Sequence, residues 1–434
     1  MTSVEGSLAL LDRLGPSTIA LGLSRMTSAL SRLGHPERAL RVLHVAGTNG
    51  KGSTCAFAAA LLAAGGRRVG LYTSPHLIRV NERLRIDGQP IADVRLAQRI
   101  DEVRALAPEL FEGPEALTYF EALTLLAFWH FAREQVEVVV LETGLGGRLD
   151  ATNVCAPAVT AITPISMDHT GHLGSTLSGI AAEKAGILKQ GVPVVLAAQS
   201  PDALEVIERR AREVGAPMVL EGRDFLLEGD DGRALTFRSP ALTVGGLALS
   251  LVGAHQRQNA ALAVQAVALL EGDGLTGEVV RAGLRAASWP GRFDIRPGRP
   301  TVVLDGAHNP AGAQALARAL DDAFPGRRRH LIVGVLADKD SAGMLDALLP
   351  AVDSIRVVAP ESERALPTEA LVALVAARGR KAEAFSDLDG ALTDARSAAG
   401  AEEVVVIAGS LVLVGTAACR LSGSDRLGAL QQAP

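Results

Sequence analysis

Apolar positions along this chain fall into two alternating patterns, short unbroken runs and longer stretches with helical spacing. Val42 to Val45, Arg68 to Thr73, Val136 to Leu141, Ala158 to Thr163 and Val192 to Ala197 read as strands. The third of these, VEVVVL, is the kind of β-branched run that is buried on both faces of a parallel sheet. Helices are expected at Ile19 to Leu33, onward from Lys51, and at Ala92 to Leu106, Tyr119 to Gln135, Thr176 to Lys189 and Asp202 to Val214. In the first, Leu21, Met26, Leu30 and Leu33 keep the helical period and Gly34 ends it. Strand and helix keep alternating, which predicts βαβ units in a doubly wound, mostly parallel α/β sheet with its ligand at the carboxyl ends of the strands.

The pattern is interrupted three times. Arg83 to Ile86 alternates ahead of Asp87-Gly88, which suggests a small hairpin. Between Met218 and Leu251, short strands with glycine turns (Asp231-Gly232, Gly245-Gly246) suggest an antiparallel flap, closed by helices at Arg257 to Leu270 and Gly277 to Ala287. Charge, glycine and proline then break the pattern at FDIRPGRP, Phe293 to Pro300, the expected domain boundary. Residues 1–295 are read as the first domain and 296–434 as a smaller, Rossmann-like α/β domain with strands at Thr301 to Leu304, Leu331 to Val335, Ser354 to Val358 and Glu403 to Ile407.

One stretch organises the rest. In RVLHVAGTNGKGSTCAFAAALL, Arg41 to Leu62, a short strand meets a glycine-rich turn and an Ala/Leu-rich helix begins near Lys51. Phosphate binds at such a junction, because glycine lets backbone N–H groups approach oxygens and the helix start carries about half a positive charge. Thr48, Asn49, Gly50, Lys51, Gly52 and Ser53 form the candidate cradle, with Lys51 as a point cation and Ser53 or Thr54 as a hydroxyl for magnesium. The common P-loop template is missed twice, at Val45 and at Gly52. A glycine-rich turn that only packs is the alternative.

At 434 residues and 48% hydrophobic, the chain can bury more than one core. Its net charge of −5 argues against a nucleic-acid surface, which needs clustered Lys and Arg. Cys55, Cys155 and Cys419 lack C-x-x-C spacing, so neither a disulfide framework nor a cysteine zinc site is expected, and a reducing cytoplasm fits. The N-terminal residues lack a leader pattern and no run of 18 apolar residues follows, so no membrane partner is expected.

Polar groups stand just past the expected strands: Ser74, Glu142, and Asp168 with His169, while Lys184 lies in AAEKAGILK. An oxygen-rich set with one imidazole suits Mg²⁺ better than zinc. Singly, each has an ordinary structural reading, such as a cap for Glu142 or a partner of Glu183 for Lys184.

The surrounding motifs occur in a fixed order: TSPHLIRVNER, LETGLGGRLDATN, MDHTGHLG, EKAGILK, WPGRF and LDGAHNP. Together with GTNGKGS they resemble the folylpolyglutamate synthase / dihydrofolate synthase family of the Mur ligase superfamily, from about Ile19 to Ala417. The chain departs from that family's pattern at Ala20, Val80, Thr143 and Gly171-His172.

The resemblance implies an ATP- and Mg²⁺-dependent ligase, with two ions, that joins L-glutamate to dihydropteroate and to folates as a monomer. It implies that Thr48 to Lys51 cradle phosphate, that Ser74, Glu142 and His169 bind metal, and that Asn259, Arg292 and Asp305 hold a nucleotide between domains. Thr118, Phe120, Leu149, Asp150 and Ala151 match the pterin wall, His308 the glutamate side, and Lys184 a carbamylated lysine. An acyl phosphate and hinge closure at Phe293 to Pro300 are further implications.

Two rivals are weighed. A cell-wall Mur ligase carries a substrate domain ahead of its ATP loop, and here 46 residues precede Gly47. Against a P-loop switch or transport ATPase, no guanine motif of the N/T-K-x-D form appears, since Ala337-Asp338-Lys339-Asp340 lacks its first residue, and neither does a tandem cassette repeat.

Overall fold

Val42–Ala46 (β1) is buried at every position and lies inside an eight-stranded sheet. Its fellows are Val69–Tyr72 (β2), Leu84–Ile86 (β3), Gln89–Pro90 (β4), Val138–Glu142 (β5), Pro157–Ile162 (β6), Val194–Leu196 (β7) and Met218–Leu220 (β8), in the order β4-β3-β2-β5-β1-β6-β7-β8. From β2 to β8 neighbours run parallel, while β3 and β4 add an antiparallel edge. The register sets up the site. Val45 pairs with Glu142, Ala46 with Ile162 and Tyr72 with Leu141, so the residues following β1, β2, β5 and β6 emerge at one end of the sheet.

The computed structural model of the protein describes residues 3–15, 20–229 and 234–423. These divide into two units, one formed by the chain up to Ser250 with Arg257–Ser288, the other by Leu251–Gln256 with the chain from Trp289 onward.

In the first unit, β1, β2 and β5 are covered on both faces, as the continuous β-branched run requires. One core joins Val42, Tyr72, Val139 and Leu141 to Phe128 and Phe131 of the helix Tyr119–Arg133 and to Leu10 and Leu11. Another joins Ile162, Val194 and Leu196 to Ile180 and Ile207 of the helices Leu177–Ala185 and Pro201–Glu213.

Several expectations are corrected. The first expected helix is shorter, Ser24–Arg32, with Leu21 exposed; Ile19 lies outside the described residues. An unexpected helix, Val4–Arg13, is capped by Ser3. The helix expected to reach Lys189 stops at Ala185, because Gly186 packs against Arg148 where a Cβ would overlap it.

Within the flap region, β8 joins the main sheet, and only Leu226–Glu228 (β9), Leu235–Arg238 (β10) and Thr243–Leu247 (β11) form the antiparallel sheet. Gly245-Gly246 is no turn: it lies within β11, where the register shifts and Gly246 takes φ +68, a bulge. Asp231-Gly232 lies outside the described residues.

The second unit carries Asp294–Arg296 (β12), Thr301–Asp305 (β13), Arg329–Val333 (β14), Ser354–Val357 (β15), Glu383–Ala384 (β16) and Val404–Ala408 (β17). Their order is β12-β13-β17-β14-β15-β16, parallel except for β12. A division at 295/296 would cut β12, which pairs along its length with β13, and Phe293 is already part of this unit's core. The segment read as a boundary is therefore an edge hairpin.

Candidate active site

The phosphate loop closes on itself through its lysines. Gly50 takes φ +88 as N-cap of the helix Lys51–Ala64, so no cap side chain occupies the start of that helix, and the first-turn N–H groups face the loop. Gly47 takes φ +145 against Thr163, and Gly50 lies against Asn259; a Cβ at either would overlap those side chains. The loop is buttressed from behind. Thr48 N donates to Pro164 O at 3.1 Å, Thr48 Oγ1 to Ser166 O at 3.1 Å, and Asn49 Nδ2 to Ser166 Oγ at 3.2 Å. This support from 164–166 has no local signature, because it depends on groups brought alongside by the β1–β6 pairing.

Two amines converge on one carbonyl oxygen. Lys51 Nζ donates to Gly47 O at 3.1 Å and Thr48 O at 3.2 Å, and Lys184 Nζ donates to Gly47 O at 2.7 Å. Lys184 is only 4% exposed. Burial first, and then the charge of Lys51, push its pKa down from 10.5 to about 7, against the opposing pull of Asp168 and Asp150. The ordinary reading of Lys184 as partner of Glu183 does not hold, because Glu183 Oε1 accepts from Arg148 instead, at 2.7 Å.

Glu142, 3% exposed at the end of β5, accepts Ser74 N at 3.1 Å, so two of the three expected metal ligands stand together. Its negative charge helps burial push the Cys55 thiol up, so Cys55 is an inert core residue. His169 takes φ +50 and donates its backbone N–H to Asp168 Oδ1 at 2.8 Å. Among the described residues, no three His, Cys, Asp or Glu side chains gather as in a closed metal centre. Ser74, Glu142 and His169 as a donor set, mostly oxygen and next to a phosphate loop, fit a hard cation that keeps water and phosphate ligands.

The expected acceptor wall is built from a cap and a loop. Thr118 is N-cap of the helix Tyr119–Arg133 in a capping box with Glu121, and Arg25 holds Glu121 from the other side at 2.9 Å. The Phe120 ring covers Gly144, where a Cβ would come within 2.5 Å of it. Leu149 O accepts from Gly22 N at 3.4 Å, and Ala151 is buried at the start of the helical turn Ala151–Val154.

In the second unit, Asp305 ends β13 and folds the following turn. Its Oδ2 accepts Phe293 N at 2.7 Å and its Oδ1 accepts Ala307 N at 2.8 Å. Arg292 Nη1 donates to Gly306 O at 3.1 Å, and His308 Nδ1 meets the same oxygen at 2.8 Å. Burial and Arg292 lower the pKa of nearby His255, which sequence reasoning overlooked, whereas Asp305 raises it.

Comparison with known proteins identifies this arrangement. Residues 45–267 match the Mur ligase middle domain and 291–411 the Mur ligase glutamate ligase domain. The dihydrofolate synthase/folylpolyglutamate synthase of Bacillus subtilis is 38% identical over 408 residues, 91% of this chain and 93% of that protein. This chain belongs to the dihydrofolate synthase/folylpolyglutamate synthase family. An Escherichia coli family member solved in complex with DHPP and ADP is 35% identical with a TM-score of 0.89, covering 97% of this chain and 98% of that one. A Yersinia pestis bifunctional folylpolyglutamate synthase/dihydrofolate synthase complexed with AMPPNP and Mn ion is also 35% identical, with a TM-score of 0.87 over 97% and 98%. As in other members of the family, this chain is an ATP-dependent ligase.

Proposed function

We propose that this enzyme adds L-glutamate to dihydropteroate, forming dihydrofolate, and then further glutamates to folates. The observation that carries the reading is the convergence of the buried Lys184 amine and the half-buried Lys51 amine on Gly47 O, at the sheet end where Glu142 accepts Ser74 N. Such a corner holds positive charge in low dielectric, where phosphoryl oxygens need it. In this reading the enzyme is a cytoplasmic monomer, and its three cysteines, free and buried, fit a reducing compartment.

In the first step an acceptor carboxylate oxygen attacks the γ-phosphorus of ATP; the bond to the β-γ bridging oxygen breaks and ADP leaves. In the second, the glutamate amine attacks the acyl carbon, loses a proton, and expels phosphate. Both partners of the first step are anions, so Lys51 and the N-terminus of its helix, with the cradle Thr48, Asn49, Gly50, Gly52 and Ser53, stabilise the transferring group. Ser74, Glu142 and His169 would hold magnesium, two ions in all, which supplies further charge neutralisation on phosphate oxygens when bound. Asn259, Arg292 and Asp305 hold the nucleotide. Thr118, Phe120, Leu149, Asp150 and Ala151 line the acceptor, and His308 orients glutamate.

Lys184 is carbamylated in this reading. Its depressed pKa exposes a neutral amine, whose lone pair forms the N–C bond to CO₂ while a C=O pair moves onto oxygen and the nitrogen releases one proton. A cation that crowds Lys51 thereby becomes an anion. Labelled bicarbonate and ¹³C NMR should give a carbamate signal that Lys184→Ala abolishes; its absence in active enzyme would leave Lys184 as a phosphate-binding cation.

Incubation of the purified protein with ATP, L-glutamate and either dihydropteroate or a folate, followed by chromatography of the products, tests the function. Glutamate addition to both acceptors is expected, and addition to neither would overturn the reading.

A further inference from the structure

The Asp150 carboxylate is fully occupied from within the chain. Its Oδ2 accepts Gly144 N at 2.9 Å and Leu145 N at 2.8 Å, while its Oδ1 accepts Thr152 N at 3.0 Å and Thr152 Oγ1 at 2.5 Å. A carboxylate offers about four lone-pair sites, so these four donors use all of them. The side chain is also 3% exposed.

The donors impose a direction on what lies behind them. Thr152 has one hydroxyl proton, and it goes to Asp150, because the carboxylate can only accept. Thr152 Oγ1 must then accept at its 2.8 Å contact with His44 Nε2, so that nitrogen carries the proton. His44 is wholly buried on β1, and burial, aided by Lys189, pushes its pKa down to about 3, which leaves it neutral. A neutral ring protonated at Nε2 has a bare Nδ1, and that atom faces Cys155 Sγ at 3.8 Å. Burial pushes the Cys155 thiol up to about 12, so it keeps its proton and donates.

We propose that Asp150 anchors a directional chain, Cys155 to His44 to Thr152 to Asp150, by which His44 positions the 144–151 wall of the acceptor pocket. This rests on the reading of that loop as the acceptor wall. The chain ties β1, three residues before Gly47, to Gly144 and Leu145, so the strand that carries the phosphate loop also fixes the loop that presents the carboxylate. His44 is a positioning residue: it acts on that wall through Thr152 and Asp150.

The tautomer can be read in the intact enzyme. In ¹⁵N-histidine-labelled protein, with His44 assigned from a His44→Gln variant, Nε2 should give a protonated signal and Nδ1 a bare one, unchanged between about pH 5 and 8, where free histidine titrates. A proton on Nδ1, or titration in that range, would overturn the direction of the chain. Kinetics give the second test. Thr152→Val and His44→Leu should each raise KM for dihydropteroate on the order of tenfold, with KM for ATP little changed. His44→Gln, whose amide nitrogen reaches the position of Nε2, should recover most of the loss. Folded Thr152→Val and His44→Leu proteins with wild-type KM for dihydropteroate would remove the positioning role. Backbone amide shifts at Gly144, Leu145 and Ala151 on adding dihydropteroate test the pocket reading separately. If no shifts appear there, the acceptor wall lies elsewhere even if the tautomer is as stated.

Discussion

The two ends of the first unit's sheet handle charge in opposite ways. At the amino ends of β1, β2 and β5, three arginines each have an acidic partner. Arg41 pairs with Glu271 at 3.0 Å, Arg67 with Glu271 at 2.8 Å and Glu137 at 3.1 Å, and Arg68 with Glu134 at 3.3 Å. These arginines are largely exposed, and ion pairs of that kind contribute little to stability. At the carboxyl ends, Lys51 and Lys184 donate only to backbone carbonyls, and Lys184 is buried. A cation held in low dielectric with no salt-bridged carboxylate among the described residues, and only the weaker pull of Asp168 and Asp150 on Lys184, costs stability, and a fold keeps it where a ligand anion offsets that cost. The amino end is finished without ligand; on the proposed function, phosphate, metal and carbamate complete the carboxyl end.

The largest effect should follow removal of charge from the unfinished end. Lys51→Met is expected to lower glutamate-dependent ADP release by about 10²- to 10³-fold while leaving the melting temperature close to wild type, since no ion pair is lost. A large fall in melting temperature with activity retained would make Lys51 a structural residue. On the proposed metal role of Glu142, Glu142→Gln should cost more than about tenfold in rate even at saturating Mg²⁺. Wild-type turnover in that variant would return Glu142 to a cap of the Ser74 turn.

Next in size is a pH effect. The pKa of Lys184 lies at about 7 in the fold and near 10.5 in the unfolded chain, so between those values the unfolded chain binds more protons. Stability should therefore rise with pH across that window, and the gain is lost progressively as pH falls from 10.5 towards 7, below which this group adds no further slope. Urea unfolding of wild type and Lys184→Ala, in bicarbonate-free buffer across that range, checks it: the slope should be smaller in the variant. The smallest effect belongs to the finished end. Arg67→Ala should leave turnover unchanged and shift the melting temperature only slightly. A substantial loss of activity there would dissolve the contrast between the two ends.

Much of the carboxyl-end geometry was legible in the chain, because β-branched runs mark buried parallel strands and polar residues just past them must emerge together. GTNGKGS showed the phosphate loop, and Ser74, Glu142 and Lys184 stood at their strand or helix positions. What escaped was whatever depends on backbone atoms from distant segments. The Lys184 contact with Gly47 O joins residues 137 apart. Asp150 is saturated by N–H groups that carry no sequence signature, and His44 sits among apolar neighbours on β1 with nothing local to mark its part. Short edge strands escaped as well: β12 lies inside the glycine- and proline-bearing segment read as a boundary, because pairing with β13 overrides its weak local propensity.

The most direct test follows the acceptor's own oxygen. Dihydropteroate labelled with ¹⁸O in its carboxylate, turned over with ATP and L-glutamate, should yield one phosphate carrying one ¹⁸O for the first glutamate added to each molecule, because the attacking oxygen leaves with the phosphoryl group. Unlabelled phosphate alongside labelled product would contradict a phosphoryl transfer to the acceptor at the carboxyl end of this sheet.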